Sequence, residues 1–509
     1  MILSNFWSRV VAYSGILFFV FYKLPWLHCG FYWDESWVYG PAMRAMYHHG
    51  PSMLPNAISP DLSRGHPVLF LAGGAAWMKV FGASIFSMHC FALTLSVILA
   101  IAIFEIMSQL FGNTTAFIAL CLLLLNVTFF TYAAYVMTDV SIALLALLTI
   151  YCWSTNRYLA AAIFLSLLAL TKESGAMLIA ALVAEMLLLP SSSFSKQQIL
   201  TLLSATGAMA LFYCIQKIML GWYLYPGHIS AINLGWGNLN YNIMRSLRGL
   251  LIQEPIYSTL IVLLPFAIAA SARRKSMKPI IPLFILSATY LVALYLSRKD
   301  VLYYIHIALM AASLALYYYR LRTAAIQHTF LRLCFTFSLL FTLFSCVNFF
   351  ETRYLFPVLF IISSIVLPVF ICSIYRGIPS IAGIFMILAI IAAGLWRFKA
   401  PGTDINQFGR VAIQQQLVDY IEQNHLYDVP ICSSSFLDHI HLTDPNTGFL
   451  RGNDTCSHVA DRLLPETRIV ILDNIDGTNT YDSIRSNPYF RLERKFVCHT
   501  DAIEIWMKR

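Results

Sequence analysis

Long apolar segments separated by short polar ones fill the chain from its start to about residue 396. A helix needs about 20 apolar residues to cross the hydrocarbon core of a membrane. Segments of about this length predict thirteen transmembrane helices, at 9–27, 85–111, 114–134, 138–153, 157–171, 174–190, 200–220, 251–271, 279–296, 301–319, 330–349, 354–374 and 378–396. Another apolar stretch, 67–83, is short and contains Gly73, Gly74 and Lys79, so we predict that it lies along the membrane interface.

The pattern changes near residue 397, where polar positions become frequent. Helical spacing of apolar residues is present in FGRVAIQQQLVDYIEQ, and a buried strand is predicted for RIVILDN. Two strands joined by a turn are predicted for KFVCHTDAIEIWMK. We therefore predict a mostly α polytopic membrane domain (1–396) followed by a small α/β extramembrane domain (397–509). This second unit, the tail domain, has no glycine-rich phosphate loop, which favours an accessory role.

Composition and charge fit this division. The chain is 59% hydrophobic and 12% charged, which is typical of polytopic membrane proteins. The net charge of +9 resides in the membrane domain, because the tail domain holds 12 Lys and Arg against 15 Asp and Glu. The positive-inside rule then predicts a cytoplasmic N-terminus, with the loop 28–83 and the tail domain outside. We expect a bacterial inner membrane protein with a periplasmic site, or a lumenal site in an endoplasmic reticulum membrane.

Cysteine usage and the basic charge bear on two further possibilities, a structural zinc site and a nucleic acid partner. The eleven cysteines are scattered, which speaks against a structural zinc site. Cys432, Cys456 and Cys498 in the tail domain allow one disulfide in an oxidising compartment. The basic excess is explained by membrane topology, and no nucleic acid partner is expected.

The first outer loop carries the sharpest chemical signal, the adjacent carboxylates Asp34 and Glu35. A carboxylate held at the membrane surface can act as a general base on a hydroxyl, or can hold a divalent cation. The alternative without a catalytic or binding role is that both acids are simply solvated, within a belt of aromatic residues at the membrane interface. The same loop ends with Arg64 and His66, two groups that can bind an anion.

Further ionisable residues lie at the predicted outer ends of helices. Ionisable groups at membrane depth are functional candidates by default, although a lysine near a helix end can reach water. An arginine here can also form an ordinary surface pair with a neighbouring glutamate. These candidates are Asp139, Lys172, Glu173, Arg353 and Tyr354.

The order of these motifs resembles that of GT-C glycosyltransferases of the family that includes protein O-mannosyltransferases and lipid A aminoarabinose transferases. The resemblance covers about residues 8–396 and is strongest over the first 190. It rests on Asp34–Glu35, His66–Pro67, Thr138–Asp139, Thr171–Lys172–Glu173 and the RYxxP sequence at Arg353–Pro357. One departure is clear: the aminoarabinose transferases have Glu-Lys-Pro where this chain has Gly65–His66–Pro67, so a metal or phosphate role of that glutamate does not carry over.

The resemblance implies a GT-C fold of about thirteen transmembrane helices with interfacial helices in the first loop. It also implies an inverting transfer of a sugar from a polyprenyl-phosphate donor to an acceptor on the outer or lumenal face. The acceptor would be a glycan, a lipid or a protein. The carboxylates of the first loop allow a divalent cation as a cofactor but do not require one, and its ligands stay open.

The chemistry of this reaction assigns a role to each candidate. A base must take the acceptor proton, and cations must stabilise the departing lipid phosphate. The predicted catalytic residues are Asp34, Glu35 and Asp139. Asp34 would be the base, and Glu35 or Asp139 would orient it. The predicted phosphate ligands are His66, Lys172, Arg353 and Arg64. The predicted substrate contacts are Tyr354 and Glu173.

Two other function classes compete with this hypothesis. A lipid or sugar transporter (flippase) would also place charged groups at helix ends along a substrate path. A noncatalytic assembly subunit would explain the tail domain but leaves the charged residues of the membrane domain unused.

Overall fold

The computed structural model describes residues 5–188, 195–232, 235–248, 325–347, 352–369, 372, 406–452, 454–474, 482–498 and 501–509. Four helices in this part of the chain are long and apolar enough to cross a membrane, namely Phe6–His28, Ile85–Phe111, Lys196–Leu220 and Ile326–Val347. The chain is an integral membrane protein, as its hydropathy predicts. The predicted spans at 251–271, 279–296, 301–319 and 378–396 lie outside the described residues, so the count of thirteen stays a prediction.

The described part of the membrane domain consists of helices and the loops between them. Its helices are α1 (Asn5–Lys23), α2 (Gly40–His49), α3 (Pro60–Ser63), α4 (Leu69–Phe81), α5 (Ile85–Phe111), α6 (Asn113–Leu124), α7 (Val127–Tyr132), α8 (Asp139–Ser154), α9 (Tyr158–Thr171), α10 (Ala176–Leu188), α11 (Lys196–Leu220), α12 (Pro226–Ala231), α13 (Trp236–Arg248), α14 (Ile326–Val347) and α15 (Phe356–Ile361). Short 3-10 or π-helical segments adjoin several of them, at Leu24–His28, Glu35–Tyr39, Glu173–Gly175, Thr352–Leu355 and Ile362–Val366.

Two apolar stretches differ from simple spans. The segment predicted as one span at 114–134 is two helices, because Asn126 interrupts it and its side-chain oxygen accepts the Phe129 N–H at 2.8 Å. An asparagine in this position competes with the helical backbone and starts a new helix instead. The interrupted stretch 67–83 forms α4, whose 13 residues are too few to cross the hydrocarbon core.

Helix α8 lies at the centre of the membrane domain. Nearly every one of its residues is buried, and it packs against α5, α9, α14 and α15. A helix that is apolar on all sides is stable only when other helices surround it. The N-terminal end of α8, where Asp139 lies, is therefore held in place by packing on all sides.

The tail domain is built on a mixed five-stranded sheet in the order β2-β1-β3-β5-β4. Its strands are β1 (Ile431–Ser433), β2 (Val459–Ala460), β3 (Ile469–Asp473), β4 (Phe490–Cys498) and β5 (Asp501–Lys508), and its helices are α16 (Asn406–Gln423) and α17 (Phe436–Thr443). Strand β1 pairs in parallel with β2 and β3, and β5 pairs antiparallel with β3 and β4. A small α/β tail domain is thus confirmed, with the predicted helix, buried strand and strand pair in place. Strands β1 and β2 are too short for sequence periodicity to reveal.

The tail domain packs directly on the membrane domain. Tyr32, Tyr132 and Tyr135 of the membrane domain join one hydrophobic cluster with residues of α16, α17 and the sheet. The tail cysteines Cys432, Cys456 and Cys498 are thiols.

Candidate active site

Asp34 lies in a tight turn, Tyr32–Ser36, which we call the Asp34 turn. Trp33 within it has φ +51°, a left-handed conformation that residues other than glycine rarely adopt. Asp34 precedes the π-helical segment Glu35–Tyr39, a helix type that recurs at functional sites. The Asp34 side chain is 9% exposed. The turn therefore holds this carboxylate at the edge of the protein interior.

The neighbouring carboxylate, Glu35, is fully buried and engaged on both oxygens. The backbone N–H of Val136 donates to Oε1 at 2.5 Å, and that of Tyr32 donates to Oε2 at 3.2 Å. The Nε2 atom of His89 lies 3.2 Å from Oε1, an ion-pair distance with poor hydrogen-bond alignment. Glu35 is thus positioned to tie the turn to α5 and to the segment before α8, a geometry that suits orientation better than proton transfer.

Tyr39 brings three of the predicted residues together. Its hydroxyl lies 3.4 Å from Oγ1 of Thr138, the residue before α8. Burial raises the pKa of the phenol, Lys172 opposes this rise, and the carboxylates of Asp139 and Asp34 add to it. Asp34, Asp139 and Lys172 therefore all lie near enough to Tyr39 to affect its pKa, although they come from the first loop, the start of α8 and the residue after α9.

Lys172 directly follows the last residue of α9, and its backbone is extended. Its ammonium lies 4.8 Å from the ring centroid of Tyr354. Burial by itself lowers the pKa of Lys172, but Tyr39, Asp139 and the other nearby groups outweigh it and raise the pKa above its usual value. Lys172 is consequently an ammonium at neutral pH. Asp139 is 6% exposed and is the first residue of α8, where the helix dipole favours a carboxylate.

Glu173 and His66 form a close pair, with 2.7 Å between Oε2 and Nδ1. Burial raises the pKa of Glu173, but His66 and Lys172 outweigh this effect and lower the pKa to about 2. The ring of His228 lies 4.6 Å from that of His66, measured between centroids. Burial, together with His66, lowers the pKa of His228 to about 4. At neutral pH Glu173 is therefore a carboxylate anion, and His228 is uncharged.

Arg64 and Gly65 shape the end of the first loop. Arg64 has φ +50°, and its guanidinium carbon lies 4.1 Å from the Trp37 ring centroid, within cation–π range. Gly65 has φ +70°, and a Cβ there would lie 2.7 Å from Trp222 and 2.8 Å from Tyr225. The loop after α11 thus covers this position so closely that a glutamate does not fit where the aminoarabinose transferases have one.

Arg353 lies in the 3-10 helix Thr352–Leu355, but its side chain is outside the described residues, so its phosphate role stays a prediction. Among the residues that the structure describes, no three His, Cys, Asp or Glu side chains converge as ligands of one metal ion.

Residues 65–216 match the family model described as dolichyl-phosphate-mannose-protein mannosyltransferase. The resemblance predicted from the motifs is confirmed. The match supports a membrane glycosyltransferase, and the matched segment includes His66, Asp139, Lys172 and Glu173. Asp34 and Glu35 precede it. No curated protein matches the chain.

Two solved structures are similar to the chain over most of its length. One is ArnT from Cupriavidus metallidurans bound to undecaprenyl phosphate, with a TM-score of 0.49 and 11% identity over 99% of this chain and 98% of that chain. The other is ArnT from the same organism in the apo state, with a TM-score of 0.47 and 12% identity over 97% of this chain and 98% of that chain.

The sequence did not single out Tyr39, His89 or His228. Tyr39 lies five residues beyond Asp34 and ends the π-helical segment. Hydrophobic patterns are read with the periods of α-helices and strands, so they do not relate these two residues. His89 and His228 gave no local signal, because each becomes significant through a contact with a residue distant in the chain.

Proposed function

We propose that the protein transfers a sugar from a polyprenyl-phosphate donor to an acceptor hydroxyl on the outer or lumenal face of the membrane, with inversion. The observation that carries this proposal is that Tyr39 contacts Thr138, next to Asp139, at 3.4 Å and that Asp34, Asp139 and Lys172 all act on the pKa of Tyr39. This nearness supports a site with a carboxylate able to accept a proton and an ammonium able to stabilise an anion. The matched family, named for a dolichyl-phosphate sugar donor, supports the donor class.

The reaction divides between the two kinds of group. Asp34 takes the proton of the acceptor hydroxyl as its oxygen bonds to the anomeric carbon. The bond from that carbon to the phosphate oxygen breaks, and its electron pair stays on the lipid phosphate. Lys172 stabilises this negative charge as it develops, with His66, Arg64 and Arg353 as further phosphate ligands.

Asp34 is the better candidate base of the two adjacent acids. Both oxygens of Glu35 accept buried backbone N–H groups, so a proton on either oxygen would disrupt one of these hydrogen bonds and weaken the other. Tyr354 contributes an aromatic face beside Lys172, and Glu173 keeps a negative charge next to His66. We assign these two residues to substrate positioning.

The test separates proton transfer from donor binding. Asp34→Asn keeps the size of the side chain but removes its basicity, so turnover should fall by about 10²- to 10⁴-fold while donor binding changes little. Lys172→Gln should instead weaken binding of undecaprenyl phosphate about tenfold or more, because a charge-assisted contact is lost. Asp61→Asn is the matched control, since this exposed acid lies in the same loop.

The measurements are a binding isotherm with undecaprenyl phosphate and single-turnover transfer by the purified protein in detergent. The donor for the transfer assay is the lipid-linked sugar that accumulates in a deletion strain, identified by mass spectrometry. Wild-type turnover by Asp34→Asn would remove Asp34 from the mechanism. A protein that moves the donor between leaflets of a vesicle, without consuming it in detergent, would be a flippase.

A further inference from the structure

The tail domain contacts the first outer loop at the residues next to Asp34. The backbone N–H of Phe31 donates to the carbonyl oxygen of Thr447 at 2.8 Å, and Arg44 donates to the Asn446 carbonyl. Gly30 lies so close to Phe449 that a Cβ would come within 2.6 Å of its ring. These contacts seat the loop between α17 and β2 directly on the start of the Asp34 turn.

A first side-chain anchor holds Tyr32, two residues before Asp34. The Tyr32 ring is buried in the hydrophobic cluster that it shares with α16 and the sheet, and the guanidinium of Arg410, on α16, lies beside its hydroxyl. Arg410 is itself fixed by Asp501, with 2.7 Å between Nε and Oδ2. Asp501 begins β5 at the sheet edge where β3 ends at Asp473, so Tyr32 is held by the sheet of the tail domain.

A second side-chain anchor holds Ser36, two residues after Asp34. The Ser36 hydroxyl donates to the carbonyl oxygen of Phe31 at 2.6 Å, and its oxygen lies 3.2 Å from Nε2 of His441 on α17. Because the hydroxyl proton is already used, His441 must donate from Nε2. The His441 ring is buried, and it stacks on Phe449 with 3.8 Å between centroids. This packing fixes the direction of the donated hydrogen bond.

The backbone between the two anchors is strained. A non-glycine residue in the left-handed region is energetically unfavourable, and persists where the surrounding structure holds it. Trp33 is such a residue, and it lies between Tyr32 and Asp34. The membrane domain holds this turn through Glu35, and the tail domain holds it on both sides through Tyr32 and Ser36.

We propose that the tail domain is part of the active site: Arg410 and His441 are positioning residues that keep Asp34 in its reactive place by holding Tyr32 and Ser36. This inference rests on the proposed function, because it acts through Asp34 as the base. It gives the tail domain a defined task in turnover, beyond the accessory role predicted from its sequence. Loss of either anchor lets the strained turn relax and moves the carboxylate away from the acceptor hydroxyl.

The experiment removes each anchor with little change of shape. Tyr32→Phe deletes the hydroxyl that Arg410 contacts, Ser36→Ala deletes the acceptor of the second anchor, and His441→Phe deletes its donor while keeping a flat ring against Phe449. His441→Gln is the conservative variant, because its amide can donate to Ser36 again. The readouts are kcat, KM for the lipid-linked sugar identified above, binding of undecaprenyl phosphate, and Tm in detergent.

Each single deletion should lower kcat about 3- to 10-fold, the equivalent of one hydrogen bond, with KM and undecaprenyl phosphate binding within about twofold of wild type. Ser36→Ala combined with His441→Phe should be no slower than Ser36→Ala alone, since Ser36→Ala already removes the bond to His441 together with the bond to the Phe31 carbonyl. Tyr32→Phe combined with His441→Phe should be slower than both. His441→Gln should recover part of the lost rate.

A matched control is Arg491→Gln, which breaks an exposed ion pair with Glu493 on β4, outside the loop between α17 and β2, and should leave kcat unchanged. Wild-type kcat in Tyr32→Phe and Ser36→Ala would overturn the inference, and so would a loss of kcat that follows Tm alone without rescue by His441→Gln. If Asp34→Asn is inactive while the anchor variants are normal, only this inference fails. If Asp34→Asn is fully active, the base assignment fails and this inference fails with it.

Discussion

Replacing Glu35 by glutamine isolates the contribution of one buried carboxylate to the Asp34 turn. In the native structure this carboxylate accepts two backbone hydrogen bonds, from Val136 at 2.5 Å and from Tyr32 at 3.2 Å, and lies 3.2 Å from the ring nitrogen of His89. A glutamine side chain has one accepting oxygen and an NH₂ group. One of the two backbone N–H groups would therefore face another donor in a site that excludes water.

The size of the effect follows from these contacts. Losing a hydrogen bond to a charged acceptor costs about 1.5–3 kcal/mol, and an unsatisfied buried donor adds about 1–3 kcal/mol. Breaking a buried ion pair from one side costs about 3–5 kcal/mol in comparable cases. We therefore expect Glu35→Gln to lower the free energy of unfolding by about 3 kcal/mol or more.

The assay is unfolding of the detergent-solubilised protein, followed by heating and by denaturant titration. Reaction of a thiol-specific dye with buried cysteines such as Cys334, measured above the reaction of the exposed Cys214, reports loss of the membrane domain core. Glu105→Gln is the matched control, because Glu105 pairs at 2.8 Å with Arg9, whose side chain is 55% exposed. Exposed pairs contribute about 0–1 kcal/mol. Equal Tm values for the two variants would refute the account of Glu35 as the residue that ties the turn to the core.

Two further predictions concern stability. Burial lowers the pKa of His441 to about 3, below the value near 6.5 of an unfolded histidine. Between these two pH values the unfolded chain binds a proton that the folded protein does not. The contribution of His441 to folding stability is therefore fully present above pH 6.5 and is lost as pH falls toward 3. The fall in Tm between pH 7 and pH 4 should be smaller in His441→Phe than in wild type, and equal falls would contradict this. Glu185→Gln removes the charge of the carboxylate that lies 2.6 Å from the guanidinium of buried Arg332 in the native protein, and should cost about 3–5 kcal/mol. Glu185→Leu combined with Arg332→Met should recover most of that loss on heating, and a double variant as unstable as the single one would argue against the pair.

Hydropathy along the chain determined much of the fold, because the membrane requires apolar helices of a set length. Helix α5 begins and ends at the predicted residues, 85 and 111, and α8 and α9 differ from the predicted bounds by one residue. The period of the tail domain was enough to predict α16 and β3–β5. The order of short motifs was enough to indicate the family.

Tertiary structure decided what each charged residue does. Asp34 and Glu35 are chemically similar neighbours in the sequence, yet the left-handed Trp33 and the π-helical segment send one to the edge of the site and bury the other. Tyr39 joins Asp34, Asp139 and Lys172 only because the first loop folds against the ends of α8 and α9. The hydrophobic period within one segment does not report which residues of another segment it contacts.

The role of the tail domain was likewise decided by the fold. Ser36 and His441 are 405 residues apart, and the same sequence patterns would be present whether or not they met. Local hydrophobic periods report which face of an element is buried, but they do not report which distant surface buries it. The sequence by itself therefore determined the elements and the chemistry available, and packing between elements determined which groups share one site.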